Sequence, residues 1–318
     1  MSIFKLDPAF KDYIWGGTRL RDEYGKKCDY DKVAESWELS CHKDGPSVVA
    51  DGEYKGLTLN EYIEKAGKGV LGKNCERFEN FPILIKLIDA KDNLSVQVHP
   101  DNDYAMRVEG EYGKTEMWYV VDCDEGATLL YGFKHEITKE EFARRIADNT
   151  LLEVTNAVPV KKGDVFFIKS GTLHAIGKGI LIAEIQQNSN TTYRIYDYGR
   201  VGKDGKPREL HVNKALDVTK LAPAEQYPET PVEKKDGYDI KLLSKCEYFT
   251  TYRVNVETKA ELDADENSFN SILVLEGEPV ISGGETVSAK KGESVYISAG
   301  TGKYTVEGKC TFVLTKID

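Results

Sequence analysis

Residues 162–176, KGDVFFIKSGTLHAI, lie without gaps on residues 291–305, KGESVYISAGTGKYT, at an offset of 129. Gly163 then falls on Gly292, Gly171 on Gly300 and Thr172 on Thr301. The strand-like run upstream of each, WYVVDCDEG at 118–126 and ILVLEGEPV at 272–280, aligns at 154 instead. The difference, 25 residues, matches a helical insertion near 137–149. This pattern predicts two copies of one β fold, the first carrying an added helix. A chain of 318 residues has room for two such units, each with its own core. The Pro- and charge-rich stretch LAPAEQYPETPVEKKDG (221–237) reads as the linker, giving segments 1–225 and 226–318.

Period-2 patterning supports a mainly β architecture. ILIKLIDA (83–90), LSVQVHP (94–100), MWYVVDC (117–123), DVFFIKS (164–170), GILIAEIQQ (179–187), YFTTYRVNVET (248–258), SILVLEG (271–277), SVYISAG (294–300) and CTFVLTK (310–316) are rich in β-branched and aromatic residues. Short strands closely punctuated by turn residues predict a sandwich, barrel or jelly roll. Helical spacing is confined to LTLNEYIEKAG (57–67) and ITKEEFARRIADN (137–149). In the latter, Thr138 and Glu141 form a capping-box pattern.

Charge and cysteine usage narrow the function classes. With 43 Lys and Arg against 53 Asp and Glu, the chain carries a formal charge of −10, which argues against a nucleic-acid partner. A small phosphorylated ligand remains compatible, because a few local cations outweigh a distant overall field. FPILIKLI (81–88) is too short to span a bilayer and contains Lys86. The first residues show no apolar run of a secretory signal. The six cysteines form no C-x-x-C pair and are expected to be reduced thiols in a cytoplasmic protein.

Four residues suit a divalent cation. Gln97 and His99 are two apart in LSVQVHP and project from the same side of an extended segment. Glu116 begins the run EMWYVV, and His174 follows the Gly171–Thr172 turn. Two imidazoles, a carboxylate and an amide oxygen make a mixed N/O set suited to zinc, with room for a water or substrate ligand. Histidines near strand ends are usually satisfied polar residues. Here, however, the second copy carries Lys303 at the place of His174, with no Q-x-H upstream of residue 271. Histidines present in one copy and absent from the other answer to function and not to the fold.

The motifs IWGG (14–17), ESWELS (35–40), KLIDAKDNLSVQVHPDN (86–102), GKTEMWYV (113–120), GTLHAIGKG (171–179) and TTYRIYDYGR (191–200) together resemble the type I mannose-6-phosphate isomerases in their short bacterial form. The likeness runs from about residue 4 to about residue 216, and more loosely to the end. It implies two cupin-type jelly-roll domains, one Zn2+ per chain, and interconversion of mannose 6-phosphate and fructose 6-phosphate. It places the metal ligands on Gln97, His99, Glu116 and His174, a catalytic arginine on Arg194, and the substrate pocket on Trp15, Lys86, Ser95 and Lys114.

Such an isomerisation moves a proton between C1 and C2 through a cis-enediol(ate), so it needs a proton carrier and a means of holding negative charge on oxygen. Arg194 is a permanent cation and cannot serve as base; it suits the enediolate or the phosphate. Lys114, two residues before Glu116, is the candidate proton carrier or a point charge for phosphate. Glu35 and Glu184 are further acid–base candidates. Lys86 and Ser95 would form a phosphate cradle if their strands were adjacent. Two other functions fit the same ligand set: an iron-dependent cupin oxygenase, and a sugar-phosphate-binding protein without turnover.

Overall fold

The computed structural model describes residues 2–202 and 205–318, which build four β-sheets stacked as layers. The amino-terminal module packs a five-stranded sheet on a six-stranded one. The five-stranded sheet runs in the order Tyr193–Tyr196, Val96–Val98, His174–Ala175, Thr128–Phe133, Thr155–Pro159. The six-stranded sheet runs Val165–Ile168, Glu116–Cys123, Ile180–Gln187, Ile83–Ala90, Glu35–Leu39, Ala9–Lys11. An eight-stranded and a four-stranded sheet form the second module. The chain is thus mainly β, as the sequence pattern predicts.

The two large sheets pack against each other, so the six-stranded sheet is covered on both faces. In Ile83–Ala90 and Ile180–Gln187 every residue is buried. Ile83, Ile85, Leu87, Leu181, Ala183 and Ile185 face the second module, where they meet Leu273, Leu275, Tyr296 and Val313. Their alternates, Ile88, Ile180 and Ile182, face the interior of the first module with Trp118 and Val120. Hence the near-continuous apolar run, and hence the meaning of the charged residues that interrupt it: Lys86 and Glu184 project inward, toward a cavity.

The internal repeat holds at the level of hydrogen bonds. Glu116–Cys123 and Asn270–Gly277 occupy equivalent places at the offset of 154, and Val165–Ile168 and Ser294–Ile297 at 129. Gly163 donates to the Val120 carbonyl and Gly292 to that of Val274, both at 2.8 Å. The two glycines have φ of 92° and 87°, and Gly171 and Gly300 have 84° and 76°, a left-handed backbone that side chains disfavour. In the second module Val280–Gly283 turns directly into Glu285–Ser288, whereas the first inserts the helix Lys139–Ala147 between Thr128–Phe133 and Thr155–Pro159.

Two local features differ from the sequence reading. The capping box at Thr138 is half formed: its hydroxyl accepts the Glu141 amide, but the Glu141 carboxylate binds Arg145 at 2.7 Å instead. The complete box belongs to Leu59–Ala66, through Thr58 and Glu61. Further, Ile3–Asp7 joins the eight-stranded sheet, with Ile3 opposite Ile297, so the amino terminus completes the second module. All six cysteines are unpaired. Among the described residues no helix is long and apolar enough to cross a membrane.

Candidate metal centre

Side chains from the two facing sheets of the first module converge between them. In the five-stranded sheet Gln97 is the register partner of both His174 and Arg194, which sets those three side chains in one row. His99 follows one step beyond the strand, where Pro100 ends the ladder. From the opposite sheet comes Glu116, the first residue of its strand. The donor atoms of His99, Glu116 and His174 all lie within 4.8 Å of one another, and all three residues are buried. His174 Nε2 is 3.3 Å from Glu116 Oε1, and His99 Nε2 is 3.7 Å from Glu116 Oε2. The Gln97 amide stands 3.4 Å from His174 Nε2, and a half-turn of that amide presents its oxygen to the same point.

The imidazoles are oriented from behind. His99 Nδ1 donates to the Thr191 carbonyl at 2.9 Å and His174 Nδ1 to that of Thr172 at 2.8 Å, leaving both Nε2 lone pairs aimed inward. Burial holds His99 well below the ordinary histidine range and His174 at about 4, so both rings are neutral near pH 7. Burial, aided by the charge of Glu184, pushes the Glu116 carboxyl up. His99 Nε2 and Glu116 Oε1 are buried without a hydrogen-bond partner, and Glu116 Oε2 faces only the Lys114 ammonium. Orphaned acceptors of this kind are costly unless something occupies the space between them. A divalent cation satisfies all of them, and two imidazoles with one carboxylate are a donor set zinc accepts.

A cavity of about 250 Å³ opens beside this cluster. Gln97 and Lys114 connect the two; Trp15, Lys86, Ser95 and Arg194 also line the cavity, with Glu35, Glu184, Asn190 and Arg208. Near the cluster Lys114 Nζ lies 3.0 Å from Glu116 Oε2 and 3.7 Å from Glu184 Oε1. The second Glu184 oxygen accepts the Trp118 indole N–H at 2.9 Å. Burial opposes ionisation of Glu184, but Lys114 and Lys86 outweigh it and hold this carboxyl below its usual range. The neighbouring carboxyls of Glu116 and Glu184 are thus pushed in opposite directions.

Lys86 and Ser95 both reach the cavity, but Lys86 does not form a free phosphate cradle. Its ammonium is 3.4 Å from Glu35 and 3.3 Å from Glu184, and these carboxylates keep it charged despite full burial. Among the described residues, positive charge in excess of the carboxylates near it gathers elsewhere. Asp197 is gripped by Arg208 at 2.8 and 2.5 Å and by Arg200 at 2.5 Å, leaving one buried carboxylate among three guanidiniums. Arg194 is therefore not paired with Asp197. It donates to the Glu209 carbonyl at 2.9 Å, and its Nε is buried without a partner. Burial and the proximity of Arg208 both work against its charge.

The sequence reading did not single out Arg208 or Asn190. Both come from irregular segments, where no periodicity indicates which way a side chain points. In the second module the repeat puts Asn270 at the place of Glu116 and Lys303 at that of His174, and His99–Glu116–His174 is the metal-type cluster found among the described residues.

Two family models match the chain: phosphomannose isomerase type I, catalytic domain, over residues 3–126, and mannose-6-phosphate isomerase, cupin domain, over residues 239–317. A mannose-6-phosphate isomerase of Bacillus subtilis is 39% identical over 98% of this chain and 97% of its own length. One from Streptococcus mutans is 40% identical over 89% of this chain and 88% of its own length. The crystal structure of a Bacillus subtilis mannose 6-phosphate isomerase superposes with a TM-score of 0.93 at 38% identity, covering 99% of both chains. A zinc-bound mannose 6-phosphate isomerase shares the fold at a TM-score of 0.80 and 17% identity. With such relatives aligned along nearly its whole length, the chain belongs to the type I mannose-6-phosphate isomerase family.

Proposed function

We propose that this protein interconverts mannose 6-phosphate and fructose 6-phosphate, using one zinc ion held by His99, Glu116, His174 and the Gln97 amide. The observation that carries this reading is the set of orphaned buried donors of His99 and Glu116 beside a cavity that also collects surplus arginines. When bound there, a divalent ion polarises the sugar carbonyl and stabilises negative charge on its oxygens.

The chain's own groups divide the remaining work. Arg208 and Arg194 hold the phosphate, which fixes C1 and C2 beside Glu184 and Lys114, and Trp15 forms a wall for the carbon skeleton. There Glu184 Oε1, buried and ionised, accepts the proton that leaves C2 and returns it to C1 on the same face. Lys114, between Glu184 and Glu116, donates toward the oxygens on which charge gathers. Lys86, held between Glu35 and Glu184, keeps Glu184 fixed and charged. Ser95 faces the cavity as a hydroxyl for the sugar.

An oxygenase with the same two histidines and carboxylate would have no use for two arginines lining the cavity. A sugar-phosphate binder without turnover would not need an ionised Glu184 beside Lys114. A coupled assay following fructose 6-phosphate released from mannose 6-phosphate tests the reading. Turnover that Arg194→Ala lowers at least tenfold is expected, whereas folded, zinc-loaded protein with no isomerase activity overturns it. The sugar phosphate is a soluble metabolite, which fits a cytoplasmic enzyme.

A further inference from the structure

A second polar cluster lies outside the cavity, behind the segment 188–192. His42, buried in the turn after the strand Glu35–Leu39, accepts the Asp44 amide on Nδ1 at 3.1 Å. Its Nε2 therefore carries the proton and donates to Glu111 Oε1 at 2.7 Å. The other Glu111 oxygen accepts the Thr191 hydroxyl at 2.8 Å and, more weakly, the Asn190 amide at 3.4 Å. Asp44 in turn accepts the Asn190 side-chain amide at 2.9 Å. The Trp37 ring stands edge-on to His42 at 5.7 Å and closes the cluster from behind. The hydrogen bond from His42 holds the Glu111 carboxyl at about 2, so the cluster keeps its charge at neutral pH.

This segment matters because Thr191 has two jobs. Its hydroxyl is tied to Glu111, and its carbonyl accepts Nδ1 of His99 at 2.9 Å. Asn190 and Thr192, on either side, line the cavity. Asn188 and Ser189 are held by the Pro82 carbonyl and the Gln186 side-chain amide. Residues 190–192 pair with no strand, and the side-chain contacts to Glu111 fix them there and with them the aim of the imidazole.

We infer that Glu111, held by His42, is a positioning residue that fixes Thr191 so that its carbonyl aims His99 at the metal centre. Glu111 touches neither the metal ligands nor the cavity and reaches His99 through Thr191. The inference rests on the metal-centre reading above. Hydrogen-bond partners of metal ligands are generally worth about 10- to 100-fold in affinity, and a residue one step further out belongs at the lower end.

The test is zinc affinity of the full chain, measured by competition with a chromogenic chelator, for the parent, Glu111→Ala, Thr191→Val and the double variant. Glu111→Ala is expected to weaken zinc binding about tenfold. Thr191→Val, which keeps the carbonyl but removes the hydroxyl, should weaken it comparably. The double variant should be no worse than either alone, since one tether is broken in each case. His42→Gln supplies the same comparison should Glu111→Ala fail to fold. A role confined to stability would lower the unfolding midpoint and leave the zinc affinity of the folded protein untouched; that result, or strictly additive losses, overturns the inference. A parent whose affinity matches that of His99→Ala would instead overturn the metal centre itself, and the positioning role with it.

Discussion

Lys86 and Glu184 face each other across neighbouring antiparallel strands, with Lys86 Nζ 3.3 Å from Glu184 Oε1 and both side chains about 4% exposed. The sheet that carries them is covered on both faces, so apart from the cavity they line both charges are withdrawn from bulk water. Removing one partner from a buried pair strands the other, at a cost of about 3–5 kcal/mol. Lys86→Met is therefore expected to lower the urea unfolding free energy by about that amount, with part restored when Glu184→Gln is added. A loss within about 1 kcal/mol would mean that water reaches these carboxylates.

Arg194 and Arg208 separate by kinetics. A charge-assisted hydrogen bond is worth about 1.5–3 kcal/mol, or roughly 10- to 100-fold. Arg208→Ala should raise KM for mannose 6-phosphate by that factor while moving kcat little, because a phosphate held equally in ground and transition states contributes uniform binding. Removing Arg194, which stands next to Gln97 in the strand row, should lower kcat as well. Steady-state kinetics decide, and an unchanged KM in Arg208→Ala would remove that residue from phosphate recognition.

Acid sensitivity reports on Glu111. Its carboxyl is lowered from 4.5 to about 2 in the folded protein, chiefly by the hydrogen bond from His42. The unfolded chain therefore takes up this proton before the folded one does as pH falls. The stabilisation is complete above about pH 4.5 and is lost as the pH falls toward 2. The stability gap between the parent and Glu111→Gln, read from urea unfolding, should stay level from pH 7 to 5 and narrow below 4.5. A gap that widens on acidification would contradict the sign.

The extent to which this site was legible depends on the distance over which each signal acts. Gln97 and His99 share a face by strand periodicity, a purely local fact, and Lys303 at the place of His174 marked one module as different. That Gln97 pairs with both His174 and Arg194 depends on which strands become neighbours, and no local pattern specifies that. The same holds for Ile3 opposite Ile297, a pairing that spans the whole chain. Lys86 was legible as an oddity in an apolar run, but its partners were not, because Glu35 and Glu184 lie on separate strands brought together by the sheet. Arg208, His42 and Glu111 come from irregular segments whose geometry is set by tertiary contacts, so their roles become visible only in three dimensions.

A single ion between His99, Glu116 and His174 underlies every role assigned to the site. Elemental analysis of the purified protein, paired with turnover before and after chelation, tests this most directly. One equivalent of zinc per chain is expected, absent from Glu116→Ala, with turnover abolished on removal and restored by zinc. Full turnover by protein shown to be free of divalent metal would contradict it.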